Sequence, residues 1–279
     1  MNLINYGFQK FKFTLIICLS IFIISNNSFA APKKELLNHW VSFDPLSKAD
    51  IQYPIWQHFL NQYLIEKPHQ TLINYKKITP NDKKLLSDAI KRLESIKIYQ
   101  YNRNEQLAYW INLYNMETIY LILEHYPVKS IKDISSGFFS FGPWDMELLT
   151  VDGKKLSLNN IEHGIIRAIY NDPRIHAAVN CASISCPNLD AKTYQGNTID
   201  QQLNQAFKAF VNSPKGVSIK NNKLYLSEIF NWYGIDFGDS KKNILRFIKL
   251  YANPELKNKL QAFNDFEFMS YNWNLNEVK

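Results

Sequence analysis

The chain has 279 residues, is 46% apolar and 14% aromatic, and carries a formal charge of +7. A composition so rich in core-forming side chains excludes a disordered polymer and supplies one domain of generous size or two small ones. Lys and Arg are spread along the chain rather than gathered in one run, which points away from nucleic acid and leaves only weak attraction to an anionic envelope surface.

Lys10 and Lys12 are the only charges before an apolar run from Phe13 to Ile24, which turns polar at Ser25, Asn26 and Asn27. This order predicts a cleavable secretory signal peptide over residues 1–30, with Ser28 and Ala30 as the small residues read before a cut at Ala30-Ala31. The apolar run is shorter than the roughly 20 residues of a spanning helix. Cys18 lacks the small-residue setting of a lipid-anchoring cleavage site, and no later segment is apolar enough to span a bilayer. The expectation is an exported chain, periplasmic or extracellular, without a transmembrane segment after processing. Cleavage lowers the formal charge by two and leaves Cys181 and Cys186 in a compartment expected to be oxidising.

From Leu36 to about Ile96 the pattern is helical, and residues 31–100 read as a helical N-terminal region. Ile55, Phe59, Leu60, Tyr63 and Leu64 recur at helical spacing within Pro54 to Ile65. Thr79 caps and Pro80 opens a second helix whose buried stripe is Leu85, Leu86, Ile90 and Leu93. Asn104 to about Tyr126 is the most apolar helix after the leader, stopped by Pro127. Gly137 to Trp144 is an aromatic loop, and Leu148 to Leu156 is a hairpin turning at Asp152-Gly153. Ser157 caps a helix running to about Tyr170. Beyond Asp172-Pro173, the short apolar run Ile175 to Cys181 predicts a buried strand. An amphipathic helix over Ile199 to Val211, a hairpin across Asn221-Asn222, a helix over Ser240 to Tyr251 and a closing strand within Phe266 to Trp273 complete the chain. The fold class is α+β: the helical N-terminal region packs on a mixed core, 101–279, with a small antiparallel sheet.

The chemistry concentrates at Asn180-Cys181-Ala182-Ser183-Ile184-Ser185-Cys186-Pro187. A strand end entering a turn can aim several amides at one sulfur, which stabilises a thiolate nucleophile, and small and hydroxyl residues such as Ser183 leave room for a substrate and donate to it. The plainer alternative is a disulfide closing the loop between Cys181 and Cys186. A metal site would need two further ligands, and none stands at a finger spacing, so neither metal nor cofactor is expected.

A cysteine nucleophile needs a proton acceptor, and period-two alternation along an extended Ile175 to Cys181 places His176 on the face away from Cys181. His163 lies on the preceding helix, one turn from Arg167 and opposite the apolar face of Leu158, Ile161, Ile165, Ala168 and Ile169. The pair is free to line a cleft or to face solvent. Glu162 is about 100° around the axis from His163. Asn112 and Asn115, on the apolar central helix, need hydrogen-bond partners. They either serve an oxyanion or an imidazole, or cross-link a neighbouring loop.

Three ordered stretches, Ala108-Tyr109-Trp110-Ile111-Asn112-Leu113-Tyr114-Asn115, Leu156 through Arg167 and Val179 through Pro187, resemble the signature of the DUF547 family, with Tyr126 to Ile131 before the second and Ile229 to Tyr233 after the third. The resemblance spans roughly residues 95 to 240. It implies a thiol-enzyme set of Cys181, His163 and Glu162 and a loose kinship to papain-like and transglutaminase-like folds. Some family members carry serine in place of Cys186, which argues against an obligatory disulfide.

Two functions follow as expectations. One is a thiol hydrolase or acyltransferase of the cell envelope acting on amide or peptide bonds, with cell-wall peptides as substrate class: Cys181 attacks, His163 shuttles the proton, Glu162 or Asn112 orients the ring, and Asn115, Ser183 and Arg167 contribute to the substrate or oxyanion site. The other is a non-catalytic binding module that docks through Phe138, Phe139, Phe141 and Trp144, with Cys181 and Cys186 oxidised together.

Overall fold

The computed structural model describes residues 32–134 and 142–279. The expected signal peptide lies outside the described residues, as do Phe138, Phe139 and Phe141 of the aromatic loop. Among the described residues, no helix is long and apolar enough to cross a membrane.

Helix α1 spans Pro54–Tyr63, α2 Pro80–Glu94 and α3 Arg103–His125. The Thr79 hydroxyl accepts from the Asp82 amide at 3.1 Å, so the expected cap of α2 is in place, and Asn102 caps α3 by accepting from the Glu105 amide at 3.0 Å. Burial holds all round α3, with Ala108, Tyr109, Ile111, Leu113 and Ile122 without exposed surface. A helix apolar on every face has no stable place except the centre of a domain, and α2 packs along α3 on one side.

Between α1 and α2 lies a hairpin that helical periodicity hides. Strand β1, Leu64–Lys67, pairs antiparallel with β2, Gln70–Ile73. The turn places His69 at φ 60°, and Leu72 and Ile73 face the core. The second hairpin, β3 at Leu149–Val151 and β4 at Lys154–Leu156, turns through Asp152 at φ 46° and Gly153 at φ 69°, the two left-handed residues that an Asp-Gly turn supplies.

Residues Asn160–Tyr170 form helix α4, wound wide as a π-type helix. Its start is fixed reciprocally: the Ser157 hydroxyl accepts from the Asn160 amide at 3.1 Å, and the Asn160 side chain accepts from the Ser157 amide at 3.0 Å. Helix α5, Ile199–Val211, has the expected bounds. Both α4 and α5 pack on α3.

The expected strand over Ile175 to Cys181 is absent. Pro173–Ala177 forms a 3-10 turn instead, capped by the Asp172 carboxylate, which accepts from the Arg174 amide at 2.9 Å. Proline in the first turn and a capping acid before it favour helical winding over extension, and this local chemistry overrides the apolar run.

A second core gathers around α5 on Phe207, Phe210, Leu226, Phe230 and Ile248. Its sheet orders β5 (Val217–Lys220), β6 (Lys223–Leu226) and β7 (Glu267–Phe268), antiparallel then parallel, with Asn221 and Asn222 both at positive φ in the hairpin turn. The helix Lys241–Tyr251, α6, packs on α5, and the Ser240 hydroxyl caps it by accepting from the Asn243 amide. Mixed helices with small sheets make the chain α+β. The first core joins residues from both sides of position 100, Trp40, Trp56 and Trp110 among them.

Candidate functional site

The loop after Pro173–Ala177 is fastened to α3. Asn115 donates to the Ala178 carbonyl at 2.9 Å and accepts from the Asn180 amide at 2.8 Å. Asn180 in turn accepts from the Ala182 amide at 2.9 Å and donates to the Pro187 carbonyl at 2.7 Å. Asn112 holds the same connection further on, bonding both backbone groups of Tyr194 at 2.8 and 3.1 Å. The two asparagines of α3 therefore act as cross-links to a loop, each donating one bond and accepting another.

Ala182 sits at φ 55°, in the left-handed region that a Cβ disfavours. That kink turns Cys181 and Ser183 to one side, with Sγ and Oγ 3.2 Å apart. A third group arrives from the far end of the chain. Residues 272–276 run beside the loop, with Ile184 donating to the Asn274 carbonyl and Asn276 to the Ala182 carbonyl, and they carry the Tyr271 hydroxyl to 3.3 Å from Cys181 Sγ. Cys186 completes the ring: the Cys181 amide donates to its sulfur at 3.0 Å. Both cysteines are free thiols.

These contacts set the acidity of the sulfur. Burial pushes the Cys181 thiol up, but donors at Cys186, Ser183 and Tyr271 overcome it and bring it down to about 7. Cys186 moves the other way, raised by burial and by the charge of its neighbour. Lys215 donates to the Cys186 carbonyl at 2.6 Å, and its burial lowers the ammonium to about 8. Half-buried Trp232 and Trp273 pack with Tyr271 beside the thiol, at ring separations of 4.7 and 4.5 Å.

Glu162, His163 and Arg167 are all buried, which corrects the expectation that the last two face a cleft or solvent. Segment 32–37 covers the helix that carries them: the Leu37 amide donates to the Gly164 carbonyl at 3.0 Å, and a Cβ on Gly164 would stand 2.7 Å from Leu37 Cγ. Arg167 donates through Nε to Asp236 at 2.8 Å and through Nη1 to the Pro32 carbonyl at 2.7 Å. His176 reaches the same Asp236 oxygen through Nε2 at 2.8 Å and stacks on Tyr233 at 3.8 Å. Lys34 pairs with Asp236 at 2.8 Å.

Glu162 Oε1 lies 3.9 Å from Nδ1 of both His163 and His176, and its other oxygen accepts from Tyr114 at 3.1 Å. Glu162 thus stands within ion-pair range of the His163 ring although the two are adjacent in sequence, at a distance longer than a hydrogen bond. Burial raises the Glu162 carboxyl, but the two imidazoles, Tyr233 and Arg167 outweigh it and leave it low. Burial lowers His163 against the pull of Glu162, with Arg167 adding to the fall, and burial likewise lowers His176. Asp236 is held well below the usual carboxylate range: burial raises it, but hydrogen bonds from His176, Arg167 and Lys34 prevail.

The sequence-expected residues therefore fall into two groups. Cys181 and Ser183 meet Tyr271 and Cys186; Glu162, His163 and Arg167 meet His176 and Asp236. Among the described residues no hydrogen bond or ion pair joins Cys181 to either histidine. The link runs through two phenols: Tyr114 donates to Glu162, Tyr233 stacks on His176, and both are near enough to Cys181 for its charge to raise their pKa, after the larger effect of burial and of Glu162. Sequence reasoning missed Tyr271, His176, Asp236 and Tyr233. Tyr271 and Asp236 come from distant segments without a local motif, and His176 was set aside by the strand expectation. Among the described residues, a concavity lined by Tyr53, Trp56 and Leu93 and another lined by Phe43, Arg103 and Gly196 do not include Cys181, and no group of three or more His, Cys, Asp or Glu is placed to hold a metal ion.

An α+β chain with a low-pKa thiol in a kinked loop and a buried imidazole–carboxylate cluster beside it defines the class. Residues 98–211 match the model of the DUF547 family, described as a protein of unknown function. The matched stretch holds Cys181, Cys186, Glu162, His163 and Arg167 and stops before Ile229 to Tyr233, so it is shorter than the resemblance in the motifs. No curated protein and no solved structure matches the chain.

Proposed function

We propose that this DUF547 protein is an exported thiol-dependent hydrolase or acyltransferase whose nucleophile is Cys181. The observation that carries this reading is the set of three side-chain hydrogen-bond partners around one part-buried sulfur, Ser183, Tyr271 and Cys186, which holds the thiol at about 7. A thiolate populated at neutral pH attacks without a base. In the reaction, the sulfur adds to the carbonyl carbon of an amide or ester, a C–S bond forms, and the C–N or C–O bond breaks. The leaving group takes a proton from water. Water or an acceptor amine then displaces the thioester and restores the thiolate.

His163, with Glu162 behind it, is the imidazole of the site. Export, with the leader over residues 1–30, fits an envelope peptide as substrate. Incubation of the full mature chain with p-nitrophenyl acetate, followed by mass spectrometry of tryptic peptides, tests the chemistry. An acyl adduct on the Cys181 peptide that builds and decays, and is absent in Cys181→Ser, is expected. No adduct on Cys181, or equal turnover by Cys181→Ser, overturns the proposal.

A further inference from the structure

The guanidinium of Arg167 has five N–H donors and no acceptor, and it does not deprotonate in proteins. Its Nη1 lies 3.1 Å from Nδ1 of His163 within hydrogen-bond geometry. That bond has only one polarity, with Nδ1 accepting. An imidazole that accepts at Nδ1 is neutral and keeps its proton on Nε2.

Arg167 cannot easily give up this position. Nε is engaged by Asp236 at 2.8 Å, the second hydrogen of Nη1 goes to the Pro32 carbonyl at 2.7 Å, and the plane lies 4.9 Å from the Tyr233 ring centroid. Protonating His163 would set an Nδ1–H against an Nη1–H. Among the described residues no hydrogen bond engages the other ring nitrogen of His163, Nε2.

We infer that Arg167 is a positioning residue that holds His163 as the neutral Nε2–H tautomer, so that His163 meets its ligand as a hydrogen-bond donor and the ligand atom it takes is an acceptor oxygen. The identity of that oxygen rests on the proposed function: with an acyl substrate it is the carbonyl oxygen that becomes the oxyanion. The proton shuttle expected from the motif gives way to a fixed donor, which a thiol already ionised at neutral pH can use. No proton changes hands at His163.

Long-range ¹H–¹⁵N correlation of the imidazoles in the full mature chain reads the tautomer directly, with His163 assigned by its loss in His163→Gln. The groups facing the ring are Glu162 and Arg167 on its own helix and His176, Tyr233, Asp236 and Lys34 from other segments. Wild type should show the Nε2–H pattern between pH 6 and 8. In Arg167→Lys, which keeps the charge beside Asp236 but cannot reach all three acceptors, Nδ1 should gain a proton and the His163 midpoint should rise. An Nδ1–H or imidazolium pattern in wild type at neutral pH overturns the inference even if the variant does not fold. Absence of an acyl adduct on Cys181 with the Nε2–H pattern intact would overturn the hydrolase reading alone.

Discussion

Around Cys181 a sulfur is tuned by uncharged donors at the surface of a loop; around His163 an imidazole is locked among charges under a strap of chain. The first arrangement leaves Cys181 part-exposed and engages Ser183, Tyr271 and Cys186, each worth a modest hydrogen bond. The second buries Asp236 with Arg167 and His176 and adds Lys34 from the exposed strap, partners that together offset the cost of removing the carboxylate from water. A neutral donor set adjusts reactivity at little cost to stability. A buried ionic set fixes geometry, and losing one member is expensive.

Asp236→Ala should break that contrast most sharply. It strands a buried guanidinium and removes the acceptor of His176, and a loss of about 3–5 kcal/mol is expected in urea denaturation. A loss below about 1 kcal/mol would mean that the cluster is solvated. The same carboxylate gives a pH signature. Its folded-state pKa is depressed, so its stabilisation is present above the unfolded value near about 4 and drains away as pH falls through the folded value. The acid limb of wild-type stability below about pH 4 should therefore be steeper than that of Asp236→Ala.

The next effect separates the two asparagines of α3. Asn115→Ala leaves the Ala178 carbonyl and the Asn180 amide unpaired, at about 2–4 kcal/mol together, and should also raise the Cys181 pKa because the kinked loop loosens. Asn112→Ala should cost a similar amount through Tyr194 and leave the thiol unchanged. Equal effects on the thiol would show that the loop moves as one body. Chemical denaturation together with pH-dependent alkylation reads both quantities.

Tyr271→Phe should be smaller still in stability and visible mainly in reactivity. Losing one donor to the thiolate should raise the Cys181 midpoint by about one pH unit. If the midpoint does not move, the sulfur owes its acidity to Ser183 and Cys186.

Much of this contrast was written locally. The caps at Thr79 and Ser157 and the turns at Asp152-Gly153 and Asn221-Asn222 each depend on a few neighbouring residues, and all are found where periodicity and turn chemistry place them. The loop Asn180 to Pro187 and the His163 helix could likewise be picked out as motifs. The partners could not. Tyr271 and Asp236 are brought in by tertiary packing, and Lys34 by the chain that crosses Gly164. The strand expected over Ile175 to Cys181 failed because a capping Asp172 and Pro173 outweigh a short apolar run, and that failure hid His176. The hairpin of β1 and β2 was lost in a stretch read as helix, where a tight turn at His69 leaves no Gly or Asn signal.

Cys181 is a thiolate near neutral pH by virtue of its neutral hydrogen-bond partners. Iodoacetamide labelling of the mature chain without reductant, quantified by mass spectrometry at Cys181 across pH 5 to 10, reads that ionisation. A midpoint near 7, with Cys186 unlabelled over the same range, is the predicted result. A midpoint at the ordinary thiol value of about 8.5, or no labelling until reductant opens a Cys181–Cys186 disulfide, would contradict it.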